Sequence, residues 1–302
     1  MTTTTTTRTS TGRVLAAAAA VYLVVLIGFV VALGSLRDGE VGAVGFGPQV
    51  AIVEVEGMIL DVEEVVRDLR RHRDNPLVRA VVIRINSPGG VVGPTQEIHQ
   101  ALLRLREAGK PVVASLGAVA ASGGYYIAVA ADQVFANPGT LTGSIGVIMQ
   151  LATFGELMKK VGVSYVVVKA GQFKDIGNPS RPMTEEEQRI LHGLLDDIHG
   201  QFIQAVAGGR NLPEADVRRF ADGRVFSGVQ AKSLRMVDQL GSLEDAVNHA
   251  AVLAGLPVPP RVIPPRRKLS LFDLVKGAIG VPLPGSLAPS LPLFKTPLYL
   301  MD

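Results

Sequence analysis

Ala80-Val81-Val82-Ile83-Arg84-Ile85-Asn86-Ser87-Pro88-Gly89-Gly90 is the stretch on which the architecture turns. Its first half is apolar at successive positions, as a strand is when both of its faces are buried. Its second half ends in a glycine pair, after which residues 95–108 read as a helix. There Ile98, Leu102 and Leu105 recur at i, i+4 and i+7 as one core-facing stripe, with His99 beside it. Outward from this stretch, residues 50–59 read as a strand, 62–71 as a helix and 111–116 as a further buried strand. A β-α-β-α-β series predicts an α/β fold, a mostly parallel sheet with flanking helices.

Further along, Thr184-Glu185-Glu186-Glu187 has the form of a capping box, and the helix it opens is expected to run to about residue 207 and stop at Gly208-Gly209. Tyr165-Val166-Val167-Val168 reads as an apolar strand. Ser242 begins another helix ending near Gly255. From residue 257 prolines crowd among leucines, which suits disorder, or a tail received by a neighbouring subunit or a membrane surface.

The chain has 302 residues, 47% hydrophobic, enough for one substantial core with appendages. The net charge of +3 is spread along the sequence without dense basic runs, so no nucleic-acid partner is expected. There are no cysteines, which excludes disulfides, thiolate metal sites and a thiol nucleophile. The five histidines lack ligand spacing, although His192 and His199 are placed to share a helix face, and no metal site is expected.

Residues 14–33 form an uninterrupted apolar run, long enough as a helix to cross the roughly 30 Å hydrocarbon core. Arg8 and Arg13 precede it and no acidic residue does, so residues 1–13 are expected in the cytoplasm and the body outside. The competing reading is a cleaved signal peptide, with small residues at Ala32-Leu33-Gly34-Ser35 for processing. The organisation expected is therefore a cytoplasmic N-terminus (1–13), a transmembrane helix (14–33), a glycine-rich linker (34–48), a catalytic domain (49–256) and a Pro-rich apolar tail (257–302).

The chemistry points to Ser122, in Ala120-Ala121-Ser122-Gly123-Gly124-Tyr125-Tyr126. The glycines after it remove side-chain bulk where a substrate carbonyl would approach the backbone. Gly90 and Gly123 are the candidate oxyanion donors. A serine in this context also serves as an ordinary helix cap, and S-P-G-G also makes an ordinary turn. Lys174, in Gly171-Gln172-Phe173-Lys174-Asp175, is the candidate base. An amine acts as a base only when neutral, which burial favours, and Phe173 and Ile176 suggest partial burial. Asp175 works against this unless it points elsewhere, and Lys169 is the alternative base.

These motifs together resemble the signal peptide peptidase A group of membrane-anchored serine proteases, also called protease IV or the S49 peptidases, in its short single-unit bacterial form. The resemblance covers about residues 50–255. It rests on Ile85 to Gly90, Ala120 to Tyr126, Leu141-Thr142-Gly143-Ser144-Ile145-Gly146-Val147, Gly171 to Asp175 and Ala221-Asp222-Gly223-Arg224 in that order. It implies a ClpP/crotonase-like fold, Ser122 as nucleophile, Lys174 as general base, Ser144 as a hydroxyl orienting the lysine, and Gly90 and Gly123 amides as the oxyanion hole. It further implies cleavage of remnant signal peptides and other small-residue or apolar peptides without a cofactor. The implied assembly is a homo-oligomeric, octamer-like ring on the membrane in which neighbouring subunits complete active sites. Two other readings stand beside it, a crotonase-like acyl-CoA enzyme and a non-catalytic membrane scaffold.

Overall fold

The computed structural model describes residues 21, 22, 26 and 47–265 and the backbone of Leu298–Leu300. The chain divides into two units, Met1–Gly47 and Pro48–Asp302. The second unit opens with β1 (Gln49–Ile59), α1 (Glu63–Asp74), β2 (Val78–Val91), α2 (Val92–Glu107), β3 (Val112–Ala121) and α3 (Gly123–Ala128). The short strands β4 (Gln133–Ala136) and β5 (Leu141–Gly143) and the helices α4 (Gly155–Lys160), α5 (Glu185–Arg210) and α6 (Glu214–Arg218) come next. The remainder is β6 (Val225–Ser227), α7 (Gly228–Ser233), β7 (Gln239–Leu240), α8 (Leu243–Leu253), β8 (Val262–Ile263) and β9 (Leu298–Leu300).

One sheet, in the order β6-β5-β3-β2-β1-β8, collects these strands, with β4 and β7 branching from β3 and β9 pairing with β2. The pairs are parallel except β5–β6 and β2–β9, as the alternating strand and helix pattern requires. Strand β3 changes neighbour along its length. Val113–Leu116 pair with β4, whereas Val119–Ala121 pair with β5. The sheet therefore splits near the end of β3, whose last residues take β5 as their neighbour.

Both faces of the central strands are covered. Val81, Ile83 and Ile85 pack with Leu69, Leu102 and Leu105 on one side, and Ala80, Val82 and Val113 pack with Ala246, Val247, Ala250 and Ala251 on the other. This is the physical meaning of the unbroken apolar run: alternate side chains enter two cores, and a fully buried leucine such as Leu102 gains about 2 kcal/mol on leaving water.

Several expected boundaries move. Strand β2 continues through Ser87-Pro88-Gly89-Gly90 to Val91, so α2 begins at Val92 with no intervening loop. The capping box at Thr184 and Glu187 is present, but α5 runs through both glycines to Arg210. Gly209 is there for contact: a Cβ on it would lie 2.1 Å from the Val129 carbonyl oxygen, so the helix closes onto that backbone and then ends on Asn211 at φ 51. Residues 165–168 form no strand. They pair with no strand among the described residues and face solvent, with Val166 82% and Val168 96% exposed. In the tail, residues 266–297 lie outside the described residues, while Leu298–Leu300 return to the sheet. The apolar run 14–33 also lies outside the described residues except for helical Val21, Tyr22 and Leu26, and among the described residues no helix is long and apolar enough to cross a membrane.

His99 is buried within α2, its ring 4.9 Å from that of Tyr126. Burial, reinforced by Arg106, pushes its imidazole down to about 4. The folded protein thus holds it neutral while the unfolded chain protonates it near pH 6.5, so stability from this group is complete above that pH and is lost as pH falls toward 4. The loss amounts to about 3 kcal/mol. Urea unfolding of His99→Leu at pH 7 and pH 4 is expected to show a correspondingly smaller acid penalty than the parent. Equal penalties would contradict a buried neutral imidazole.

Candidate active site

Ser122 lies between the end of β3 and the start of α3, with φ 52 and ψ −117. A non-glycine residue held at positive φ is strained by about 1–3 kcal/mol and persists only where the surroundings dictate it. Here Ser122 N donates to Gly143 O at 2.8 Å and Ser122 O accepts from Tyr126 N at 2.8 Å. The Tyr125 hydroxyl donates to Met236 O at 2.9 Å, and the Tyr126 ring packs edge-on against Phe202 at 5.1 Å. The turn is thus fastened on both sides. Ser122 occupies the cap position of α3, yet its side chain makes no capping hydrogen bond. Its Oγ is fully buried and has no partner among the described residues. That removes the reading of Ser122 as an ordinary cap.

The glycine pair of β2 meets this turn directly. A Cβ on Gly123 would lie 3.2 Å from Gly90 N, 3.2 Å from Gly89 Cα and 2.9 Å from Thr95 Oγ1. One on Gly90 would lie 2.1 Å from Ile59 O. A side chain at 123 would thus crowd Thr95 and the Gly89-Gly90 backbone, and one at 90 would collide with the Ile59 backbone of β1, so each position needs glycine for its own close approach. Ser87 Oγ, fully buried, accepts from Gly89 N at 3.1 Å and holds the bend in β2. Thr95 Oγ1 donates to Val91 O at 2.8 Å and stands where a side chain on Gly123 would go. Nothing in the sequence distinguished Thr95 from the other hydroxyl residues of the chain.

Ser144 follows from the neighbouring strand. Ala121 pairs with Gly143, so Ser144 sits beside Ser122, buried and likewise at positive φ, 50. Its N donates to Arg224 O at 2.8 Å, and Gly223 N donates to Ile145 O at 3.1 Å. The Ala221 to Arg224 motif is thus a brace for this loop. Arg224 also holds the Asp222 carboxyl down, to about 2. Thr142 Oγ1 adds a buried bond to Ala120 O at 2.7 Å, tying β5 to β3 just below the two serines.

Lys174 is placed differently from the expectation. It is exposed, in a run of turns at residues 171–177, and Phe173 and Ile176 are only half-buried. Since Ser122 Oγ has no partner, Lys174 does not bond to it within one chain. Lys169 is committed elsewhere: its Nζ pairs with the Asp175 carboxylate and donates to Gln172 O at 2.7 Å. The backbone thus places Ser122 beside Ser144 and next to Gly123 and the Gly89-Gly90 pair, while Lys174 is exposed and makes no hydrogen bond to Ser122.

One more element reaches the site. Strand β9 pairs antiparallel with β2, Gly89 opposite Leu300, Gly90 opposite Tyr299 and Val91 opposite Leu298. The strand edge beside Gly90 thus carries an extended backbone from the chain's own C-terminal region.

Residues 104–257 match the model of peptidase family S49. The chain is similar to an inferred protease of Synechocystis sp., 47% identical over 209 residues, covering 69% of this chain and 75% of that protein. It is also similar to Protease 4 of Haemophilus influenzae, 36% identical over 214 residues, covering 68% of this chain and 35% of that protein. Serine protease SPPA, chloroplastic, of Arabidopsis thaliana is 30% identical over 262 residues, 82% of this chain and 38% of that protein. The matched residues span the strained serine, the turns at 171–177 and the brace at Arg224, and with the extent of these matches the chain belongs to peptidase family S49.

Proposed function

We propose that this chain is a membrane-anchored serine endopeptidase of ClpP/crotonase-like fold. It cuts remnant signal peptides and other small-residue or apolar peptides outside the cytoplasm. Ser122 Oγ attacks the peptide carbonyl and its proton passes to Lys174. The carbonyl oxygen, now anionic, accepts from the Gly90 and Gly123 amides. The C–N bond breaks as Lys174 returns the proton to the leaving amine, and water then hydrolyses the serine ester. Ser144 orients the lysine. The observation that carries this reading is a serine held at φ 52 with its Oγ buried and unpaired among the described residues, followed by Gly123, where a side chain would crowd the Gly89-Gly90 backbone. The edge beside Gly90 already pairs with an extended strand, which is how an extended peptide substrate would dock.

In this reading a second copy of the chain, within a ring, supplies the lysine. Two observations support it: Lys174 is exposed and unbonded to Ser122, and it follows a solvent-facing apolar segment that includes Tyr165, Val166 and Val168. Burying that segment against a neighbour would carry Lys174 with it. Residues 14–33 anchor the assembly.

Purified full-length protein is expected to hydrolyse a fluorogenic peptide with small and apolar residues and to be inactivated by a fluorophosphonate. Turnover of an enoyl-CoA thioester without peptide hydrolysis would favour the acyl-CoA reading, and neither activity would favour the scaffold. Within the peptidase reading, Gly123→Ala is expected to lower kcat by about 10²-fold, because the added methyl pushes the Gly90 amide off the oxyanion position. An unchanged kcat would remove that pair from the oxyanion hole.

A further inference from the structure

A base beside a carboxylate is at a disadvantage, because the negative charge favours the protonated amine. Asp175 follows Lys174 in the chain, yet the structure turns its carboxylate elsewhere. Asp175 Oδ1 pairs with Lys169 Nζ, and Oδ2 accepts from Arg181 Nη2 at 3.1 Å and lies 3.5 Å from Asn178 Nδ2. Arg181 then forks onto Glu187, Nη1 to Oε2 at 2.8 Å and Nη2 to Oε1 at 2.6 Å. Glu187 is only 2% exposed and is fixed by the capping box that opens α5. The segment from Lys169 to Arg181 is thus stapled to the first turn of α5 through Asp175. Lys169 first, then Arg181, hold the Asp175 carboxyl far below the usual carboxylate range. Arg181 and the Thr184 amide hold that of Glu187 down, to about 2.

We propose that Lys169 and Arg181 are positioning residues for the lysine base: they absorb the charge of Asp175 and pin its segment to α5, leaving Lys174 free of its neighbouring carboxylate. This rests on the reading of Lys174 as the base. The charged groups around the segment are Lys169, Asp175 and Arg181 on the segment itself, Glu187 and Glu186 on α5, and Glu156, Lys159 and Lys160 on α4, whose start meets the segment through Phe154 N donating to Pro179 O at 2.6 Å and whose Glu156 pairs with Lys159. Glu186 is exposed and accepts from Gln172 Nε2 at 3.2 Å. Removing Lys169 leaves Asp175 and the two glutamates of α5 facing Arg181 alone, so the balance becomes more negative. Removing the Asp175 charge makes it more positive.

The test is the pH profile of kcat/KM on a fluorogenic peptide with the full-length chain. Lys169→Met is expected to move the half-maximal pH upward by about 0.5–1 unit while keeping activity at alkaline pH, and Asp175→Asn to move it downward. The double variant returns the profile to within about 0.3 unit of the parent, and Lys169→Arg keeps the parental half-maximal pH. A purely structural role for the staple would lower the rate at every pH without moving the profile. Unmoved profiles in both single variants, or shifts in the same direction, overturn the proposal. If Lys169→Met does not fold, the sign of the Asp175→Asn shift decides. Lys174→Ala separates the two levels: retained activity there removes the base reading itself, whereas an inactive Lys174→Ala with an unmoved Lys169→Met profile removes only the staple.

Discussion

Ser122→Ala is expected to lower peptide hydrolysis by on the order of 10⁴-fold or more without loosening the fold. The activity should collapse because, in the proposed mechanism, the Ser122 hydroxyl is the group that attacks the carbonyl. Stability should respond in the opposite sense from most buried substitutions. Ser122 Oγ is buried without a partner, so deleting it orphans no other polar atom and relieves a desolvation penalty of about 1–3 kcal/mol. Strain at φ 52 remains for alanine, so the expected melting temperature is equal to or above the parent's. Loss of activity together with a lowered melting temperature would instead mark Ser122 as a structural residue.

Lys174→Ala is expected to lower activity by on the order of 10³-fold or more at every pH, again with little change in stability because the side chain is exposed. In the parent the reactive form of the base is the neutral amine, so the rate should climb toward alkaline pH. A profile governed by a group titrating near pH 6 would point to a histidine, and His99, buried and pushed down to about 4, does not supply one. Co-expression of differently tagged Ser122→Ala and Lys174→Ala chains should recover activity in the mixed assembly, since one chain then brings the lysine and its neighbour the serine. Failure to recover would mean that each lysine serves its own chain's serine.

Much of the fold was legible because the sheet's demands are local. The run from Ala80 to Ile85 alternates between two cores, and Thr184 with Glu187 signals a helix start by its own hydrogen bonds. The glycines misled where their use was tertiary. Gly208-Gly209 reads as a helix stop, yet Gly209 is required by the Val129 carbonyl from a distant helix end. Residues 165–168 have strand composition, but composition does not supply a partner edge, and they pair with no strand among the described residues. At the site, Ser122, Gly90 and Gly123 were singled out by the residues themselves and Ser144 by the family resemblance, and strand register sets Ser144 next to Ser122. The partial burial expected of Lys174 was not found, because nothing local covers the turns at 171–177. The doubt over Asp175 has a geometric answer in Lys169 and Arg181, and Arg181 carried no signal of its own in the sequence. The end of the tail is received by β2, a contact that proline density could not foretell.

Whether Ser122 is a nucleophile activated by Lys174 is decided by mapping a fluorophosphonate adduct. Full-length protein is treated with the reagent and digested, and the modified residue is located by mass spectrometry. A single adduct on Ser122 is expected, formed in step with loss of peptide hydrolysis and strongly slowed in Lys174→Ala. An adduct on Ser144 or Ser87 in step with inactivation, or undiminished labelling of Ser122 in Lys174→Ala, would overturn that assignment.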